Sequence, residues 1–196
     1  MKAPMNPLRG LASDAEAIRR YTTTIDGPIV LVGHSYGGAV ISQAAPSVKD
    51  VQALVFLSAF ALDEGETCLS VMEPYPPSLL ATTNLASRYD APGAVGGPDL
   101  FIKTEDFREA FCADLSEDVA GPMAVSQRPL AAAAFTDPAS AAVGWRNLPS
   151  WYLVSEHDNA IPPDCERFMA QRMNAATESV DGSHVAFIAS PTSHPV

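Results

Sequence analysis

Cysteine, histidine and positive charge are scarce in this sequence of 196 residues. The three cysteines, Cys68, Cys112 and Cys165, lie far apart and form no Cys-x-x-Cys pair. That argues against a disulfide framework and a cysteine-based zinc site, and it points to a reducing compartment. Lys and Arg number 12 against 23 Asp and Glu, a formal net charge of −11. Phosphate backbones and anionic lipid surfaces repel such a chain, so neither nucleic acid nor membrane is expected among its partners. No stretch of the sequence approaches the roughly 18 apolar residues of a membrane-spanning helix. The opening residues, Met1 to Pro7, lack the apolar run of a secretory signal. The expectation is a cytoplasmic protein.

What is present is apolar material, 47% of residues, enough for the core of one domain. Leu11, Ala15 and Ile18 fall at helical spacing, and Ser13-Asp14-Ala15-Glu16 reads as the helix start. After the turn Asp26-Gly27-Pro28 comes Ile29-Val30-Leu31-Val32, a wholly apolar run expected to form a strand buried on both faces. Residues 39–45 read as a helix stopped by Pro46, and Ala53 to Leu57 as a second strand. Alternation of this kind indicates an α/β sheet with right-handed crossovers. Residues 63–148 break the pattern with Pro74, Pro76, Pro77 and the Gly-rich Pro92 to Pro98. Helical pieces are expected at 104–113 and 116–125, and no strand. The alternation resumes at 151–154 (strand), 164–173 (helix) and 177–180 (strand). The expected organisation is a core of residues 1–62 and 149–196 with an inserted helical cap at 63–148.

Gly33-His34-Ser35-Tyr36-Gly37 is a G-x-S-x-G motif between an apolar strand and a helix. That is the setting of a nucleophile elbow, where small flanking residues permit a sharp turn that aims the serine outward. Ser35 is the candidate nucleophile, and the Tyr36 backbone N–H is a candidate oxyanion donor at the helix N-terminus. A serine needs a base. His34 sits inside the elbow and is expected to point away from Ser35. His194 is close to the chain end. His184 follows the last strand and is expected at the same sheet edge as Ser35, which makes it the candidate base. Asp158, after the strand at 151–154, is the candidate acid that holds the imidazole. Glu156 is a rival beside the strand, and Asp181 lies too near His184 in sequence to orient it. The order Ser35, Asp158, His184 is the one expected of an α/β-hydrolase. Such a triad needs no metal and no organic cofactor.

Several further segments carry a resemblance. They are Gly33 to Val40, Ser58-Ala59-Phe60-Ala61 with Asp63-Glu64-Gly65-Glu66, Gln127-Arg128-Pro129, Pro149 to Leu153 and Asp158 to Pro163. Together they resemble α/β-hydrolases of the AB hydrolase-1 type, kin of pyrethroid hydrolases, plant methylesterases and hydroxynitrile lyases. The resemblance implies a mostly parallel sheet flanked by helices and the triad Ser35, Asp158 and His184. Family members open with a strand ending in His-Gly, and the loop after it lends a second oxyanion donor. Residues 1–34 contain no His-Gly. The resemblance therefore implies that the opening strands and the second donor are missing. The strand at 29–32 would then keep a free edge, a candidate surface for homodimer formation.

The leading functional reading is a serine hydrolase of small, neutral or aromatic carboxylic esters. An alternative is a catalytically impaired fragment or ligand-binding relative with half an oxyanion hole. A hydroxynitrile lyase-like activity ranks lower, because Lys2, Lys49 and Lys103 offer no clear pocket lysine.

Overall fold

Leu11, Ala15, Ile18 and Thr22 share one stripe and are buried along the helix α1 (Leu11–Thr22). The computed structural model describes residues 1–86 and 95–189. After α1 come β1 (Ile29–Ser35), α2 (Tyr36–Ala44), β2 (Val51–Ala59), α3 (Cys68–Met72), α4 (Leu80–Thr83), β3 (Asn84–Ala86) and β4 (Asp99–Ile102). Then follow α5 (Phe107–Phe111), α6 (Glu117–Ser126), β5 (Leu130–Ala131), α7 (Ala133–Thr136), β6 (Ser150–Ser155), α8 (Pro163–Arg172), β7 (Ala176–Val180) and α9 (Ala186–Ala189). The expected helix at 104–113 is the shorter α5, and that at 116–125 is α6. Pro92 to Ala94, Pro191, His194 and Pro195 lie outside the described residues.

Helix α1 begins at Leu11, earlier than the Ser13 start expected from sequence. The reason is a pair of carboxylates, one in the helix's own first turn and one from elsewhere in the chain. Asp14 is fully buried and reaches back, accepting from the Arg9 amide at 3.0 Å and the Gly10 amide at 3.3 Å. Asp137 accepts from the Leu11 amide at 3.0 Å. These bonds occupy donors that a helix start leaves unsatisfied.

Four parallel strands form the main sheet in the order β1-β2-β6-β7. Helix α2 packs on β1 and β2, α1 packs on α2, and α8 lies against β6. The core sits on this covered face. Leu54 and Phe56 are fully buried there, and the Phe56 ring stacks on Tyr152 at 5.9 Å. Burying side chains of this size contributes about 2–3 kcal/mol each.

The other face of β1 corrects the expectation of a strand buried on both sides. Ile29 and Leu31 are 8% exposed, but Val30 and Val32 are 54% and 57% exposed. Trp151, in register with Val55 and hence Val32 on the same face, is 48% exposed. No described helix covers these positions. Strand β1 is also outermost: among the described residues no strand pairs with its free edge.

The segment between β2 and β6 holds a second, three-stranded antiparallel sheet, β3-β4-β5. This corrects the expectation that no strand occurs there. The strands are short. Gln127 extends the pairing by bonding both backbone groups of Ile102, at 2.8 and 2.9 Å. Phe107, Cys112, Leu115, Ala120 and Ala124 form a small core of their own, and Val185, the residue after His184, packs into it.

Candidate active site

Strand β1 ends at Ser35 and α2 starts at Tyr36, with no intervening loop. A direct strand-to-helix passage forces Ser35 to φ 53° and ψ −127°, a conformation that L-residues rarely adopt. The turn needs two small neighbours, and the motif names only one of them. A Cβ on Gly33 would lie 2.5 Å from the Gly37 carbonyl oxygen, and one on Gly38 would lie 2.6 Å from that of Phe60. A Cβ on Gly37 would meet open space. So the close approach requires Gly33 and Gly38. Ser35 is anchored from behind by its carbonyl, which accepts from the Phe60 amide at 3.0 Å.

Tyr36 offers the site only its backbone. Its ring turns inward, and its hydroxyl donates to Asp14 at 2.9 Å. Burial and the Asp14 charge push that phenol far above its ordinary value. The Tyr36 N–H belongs to the first turn of α2, where amides have no intrahelical acceptor.

The other candidates leave the same sheet edge side by side, because β6 and β7 are parallel neighbours with Ser155 opposite Val180. Beyond the strands the two loops stay joined. The Glu156 amide donates to the Val180 carbonyl at 2.9 Å and the His157 amide to that of Gly182 at 3.0 Å. This brings Asp158 to His184: Asp158 Oδ2 and His184 Nδ1 are 2.5 Å apart, with both side chains fully buried. Asp158 Oδ1 accepts from the amides of Ala160 and Ile161 at 2.6 and 2.8 Å. Burial opposes its charge, but His184 and these hydrogen bonds outweigh burial and hold the carboxyl below its ordinary value.

With Nδ1 engaged, His184 Nε2 is the nitrogen left over. It is buried and has no hydrogen-bond partner among the described residues, Ser35 included. Next to Ser35, His34 Nε2 lies 2.8 Å from the His184 carbonyl oxygen, and the two imidazoles are 4.5 Å apart. His34 thus braces His184. Burial, then the neighbouring His184, push its pKa down to about 3, so it is neutral and donates to that carbonyl. Phe111 meets the His184 ring edge-on at 4.9 Å, and Phe187 meets His34 at 5.0 Å. These aromatic rings close the site on one side.

The rejected candidates are occupied elsewhere. Glu156 pairs with Arg167, and Asp181 pairs with the exposed His157 at 2.7 Å. Two residues escaped sequence reasoning. Asp114, between α5 and α6, accepts from the Ser183 amide at 2.8 Å and from the Ser183 hydroxyl, which fixes the His184 loop from the far side. Glu166 of α8 is completely buried beside Asp158 and accepts from the Ser155 amide at 3.1 Å. Neither carries a local motif. Only the glutamate's place one turn into a helix after the Asp158 loop was a usable signal.

Asp158, Glu166 and His184 also form the one group among the described residues with donor atoms close enough to suit a metal, within 4.8 Å of one another. Two of the three are already turned on each other as an acid–imidazole pair. An open groove of about 430 Å³ borders the Asp158 loop, between Pro76 to Leu79 and Arg167, and Ser35 is not part of its lining.

A family model described as the alpha/beta hydrolase family matches residues 4–195. This chain belongs to the alpha/beta hydrolase family. Two curated proteins are similar in sequence. The alpha/beta hydrolase nvfD of Aspergillus novofumigatus is 30% identical over 179 residues, covering 85% of this chain and 67% of that protein. The probable hydrolase R7 of Phoma sp. is 29% identical over 172 residues, covering 81% of this chain. This hydrolase-family chain matches 62% of the length of R7. Among solved structures, polyneuridine aldehyde esterase superposes with a TM-score of 0.75 at 18% identity, over 96% of this chain and 80% of the esterase. At that identity the likeness speaks for the fold, a mostly parallel sheet flanked by helices. No helix among the described residues is long and apolar enough to cross a membrane.

Proposed function

We propose that this chain hydrolyses small carboxylic esters with Ser35 as nucleophile, His184 as base and Asp158 as the acid that orients it. The observation that carries the reading is the buried Asp158–His184 pair, with Nδ1 engaged at 2.5 Å and Nε2 left without a partner beside the elbow. An imidazole held in this way has its second nitrogen reserved for a proton from elsewhere. Ser35 Oγ attacks the ester carbonyl and its proton passes to His184 Nε2. The Asp158 carboxylate stabilises the imidazolium, and the Tyr36 N–H stabilises the oxyanion. Collapse expels the alcohol, which takes the proton back from His184 and leaves an acyl-Ser35. Water, deprotonated by the same imidazole, releases the acid. The segment at 63–148, which brings Phe111 against His184, serves as the cap over the acyl pocket. The esterase among the similar folds supports the substrate class.

Fluorophosphonate labelling tests this reading. Labelling of the folded protein that disappears in Ser35→Ala, together with turnover of p-nitrophenyl acetate, is the expected result. Folded protein that is neither labelled nor active would sink it. One observation favours a second reading, a ligand-binding or impaired relative. The strand that carries Ser35 has a free edge among the described residues. Tight binding of an ester without turnover would select that reading.

A further inference from the structure

Behind the Asp158–His184 pair runs a buried polar chain that the proposed reaction does not use. Ser58 Oγ lies 2.7 Å from Ser155 Oγ, and both side chains are fully buried. The Ser155 amide donates to Glu166 Oε2 at 3.1 Å. Glu166 Oε1 is buried and has no partner that would hold it as a charged oxygen. Its neighbours are Asp158 and His184, with one donor atom of each of the three within 4.8 Å of the others. Two carboxyl groups enclosed together cannot both be ionised at ordinary cost, so such a pair keeps a proton. Asp158 already receives three hydrogen bonds, from His184 and from the amides of Ala160 and Ile161, all of which favour its charged form. The proton therefore belongs on Glu166.

We propose that Glu166 is a positioning residue of the candidate triad: a neutral carboxylic acid that donates from Oε1 to the Asp158 carboxylate and holds it against His184 Nδ1. The proposal rests on the reading of Ser35, His184 and Asp158 given above. It also accounts for the otherwise unpartnered Oε1. Burial, then the Asp158 carboxylate, push Glu166 well above its ordinary value, in the same direction. The titratable groups around it are Asp158 and His184 from the two loops, Tyr152 from β6, and Cys165 and Arg167 from α8. Arg167 favours the charged form of Glu166, but it points outward to Glu156 and Asp164 on the surface. Shared in this way, the Asp158 charge is partly spent on Glu166. Its pull on the His184 proton is then weaker than that of a lone buried aspartate.

Infrared spectroscopy and the pH dependence of His184 test this together. At neutral pH the wild type should show the carbonyl band of a buried protonated carboxylic acid, and Glu166→Gln should lack it. The glutamine amide still donates to Asp158, so the acid limb of kcat/KM should stay within about twofold of wild type at each pH. Glu166→Leu removes the donor. It should lower kcat about tenfold or more and move the acid limb to higher pH, because the imidazolium then faces the full Asp158 charge. Absence of the band, or an acid limb that moves to lower pH in Glu166→Gln, would show that Glu166 is ionised and overturn the proposal. If no ester is turned over, the same shifts are read from the His184 imidazole by NMR, so failure of the hydrolase reading stays distinct from failure of this one. If Glu166→Leu does not fold, the band and Glu166→Gln decide.

Discussion

Asp158 and His184 are sealed side chains between two loops that hydrogen bonds join, whereas Ser35 stands on the strand that is outermost among the described residues. The proposed acid–base half is over-determined. Asp158 receives three hydrogen bonds, His184 is braced by His34, and Asp114 holds the loop before it. The proposed nucleophile half rests on one turn, with Val30 and Val32 of the same strand facing solvent. An acid–imidazole pair loses its function when water or slack enters, so it must be enclosed. A nucleophile must meet substrate, and its precision comes from backbone geometry instead.

If both halves act as one unit, Ser35→Ala and His184→Ala should each lower ester turnover by about 10⁴-fold or more, and the double variant should lose little further. Additive losses measured as kcat/KM would break the comparison into two independent devices. Stability separates the halves in a second way. Gly33→Ala places a Cβ against the Gly37 backbone at 2.5 Å and should cost about 2–4 kcal/mol in urea unfolding. Gly37→Ala meets open space and should be neutral or stabilising by about 0.5–1 kcal/mol, since alanine suits a helix better than glycine. Equal costs would mean that the turn is not set by the contacts described.

Much of this site was legible because its cues are local. The G-x-S-x-G between an apolar run and a helix picked out Ser35 at the strand-to-helix turn, and the order of strands picked out Asp158 and His184, which the fold brings together. Less legible were residues that act across the fold. Asp114 lies 69 positions from Ser183 and looks like any loop acid. Glu166 looks like an exposed helix residue until α8 packs on β6. The segments at 84–86, 99–102 and 130–131 are too short to show a period of two, so β3-β4-β5 escaped notice. For β1, an unbroken apolar run cannot say whether helices cover one face or both. The motif's glycines were read correctly for Gly33 and wrongly for Gly37, since the pattern does not reveal that Gly38 makes the second close approach.

The acid–base half should answer to two milder changes. Asp114→Ala leaves the Ser183 amide and hydroxyl without their acceptor, which should cost about 1–3 kcal/mol and lower kcat more than it changes KM. An unchanged kcat would mean that His184 is placed without this clasp. Asp158 is held below the ordinary aspartate value. Its contribution to stability is therefore complete above the unfolded value, near 4, and is lost as pH falls through the lower folded value. Tm followed from neutral to acidic pH should fall more steeply in the wild type than in Asp158→Asn. Parallel curves would mean that His184 does not stabilise the charge.

The smallest effect is the most direct test of the open half. Leu31 and Val32 are sequence neighbours, one 8% and the other 57% exposed. Leu31→Ala should cost about 2–5 kcal/mol, as deletions in a packed core do. Val32→Thr keeps the β-branched shape and adds a hydroxyl on the outward face, where water can hydrogen-bond it. It should therefore change unfolding free energy by no more than about 0.5 kcal/mol. A cost above about 1 kcal/mol would mean that the hydroxyl is desolvated in solution. The Val30, Val32 and Trp151 face would then be covered by something, and the strand that carries Ser35 would be as enclosed as the loops that carry Asp158 and His184.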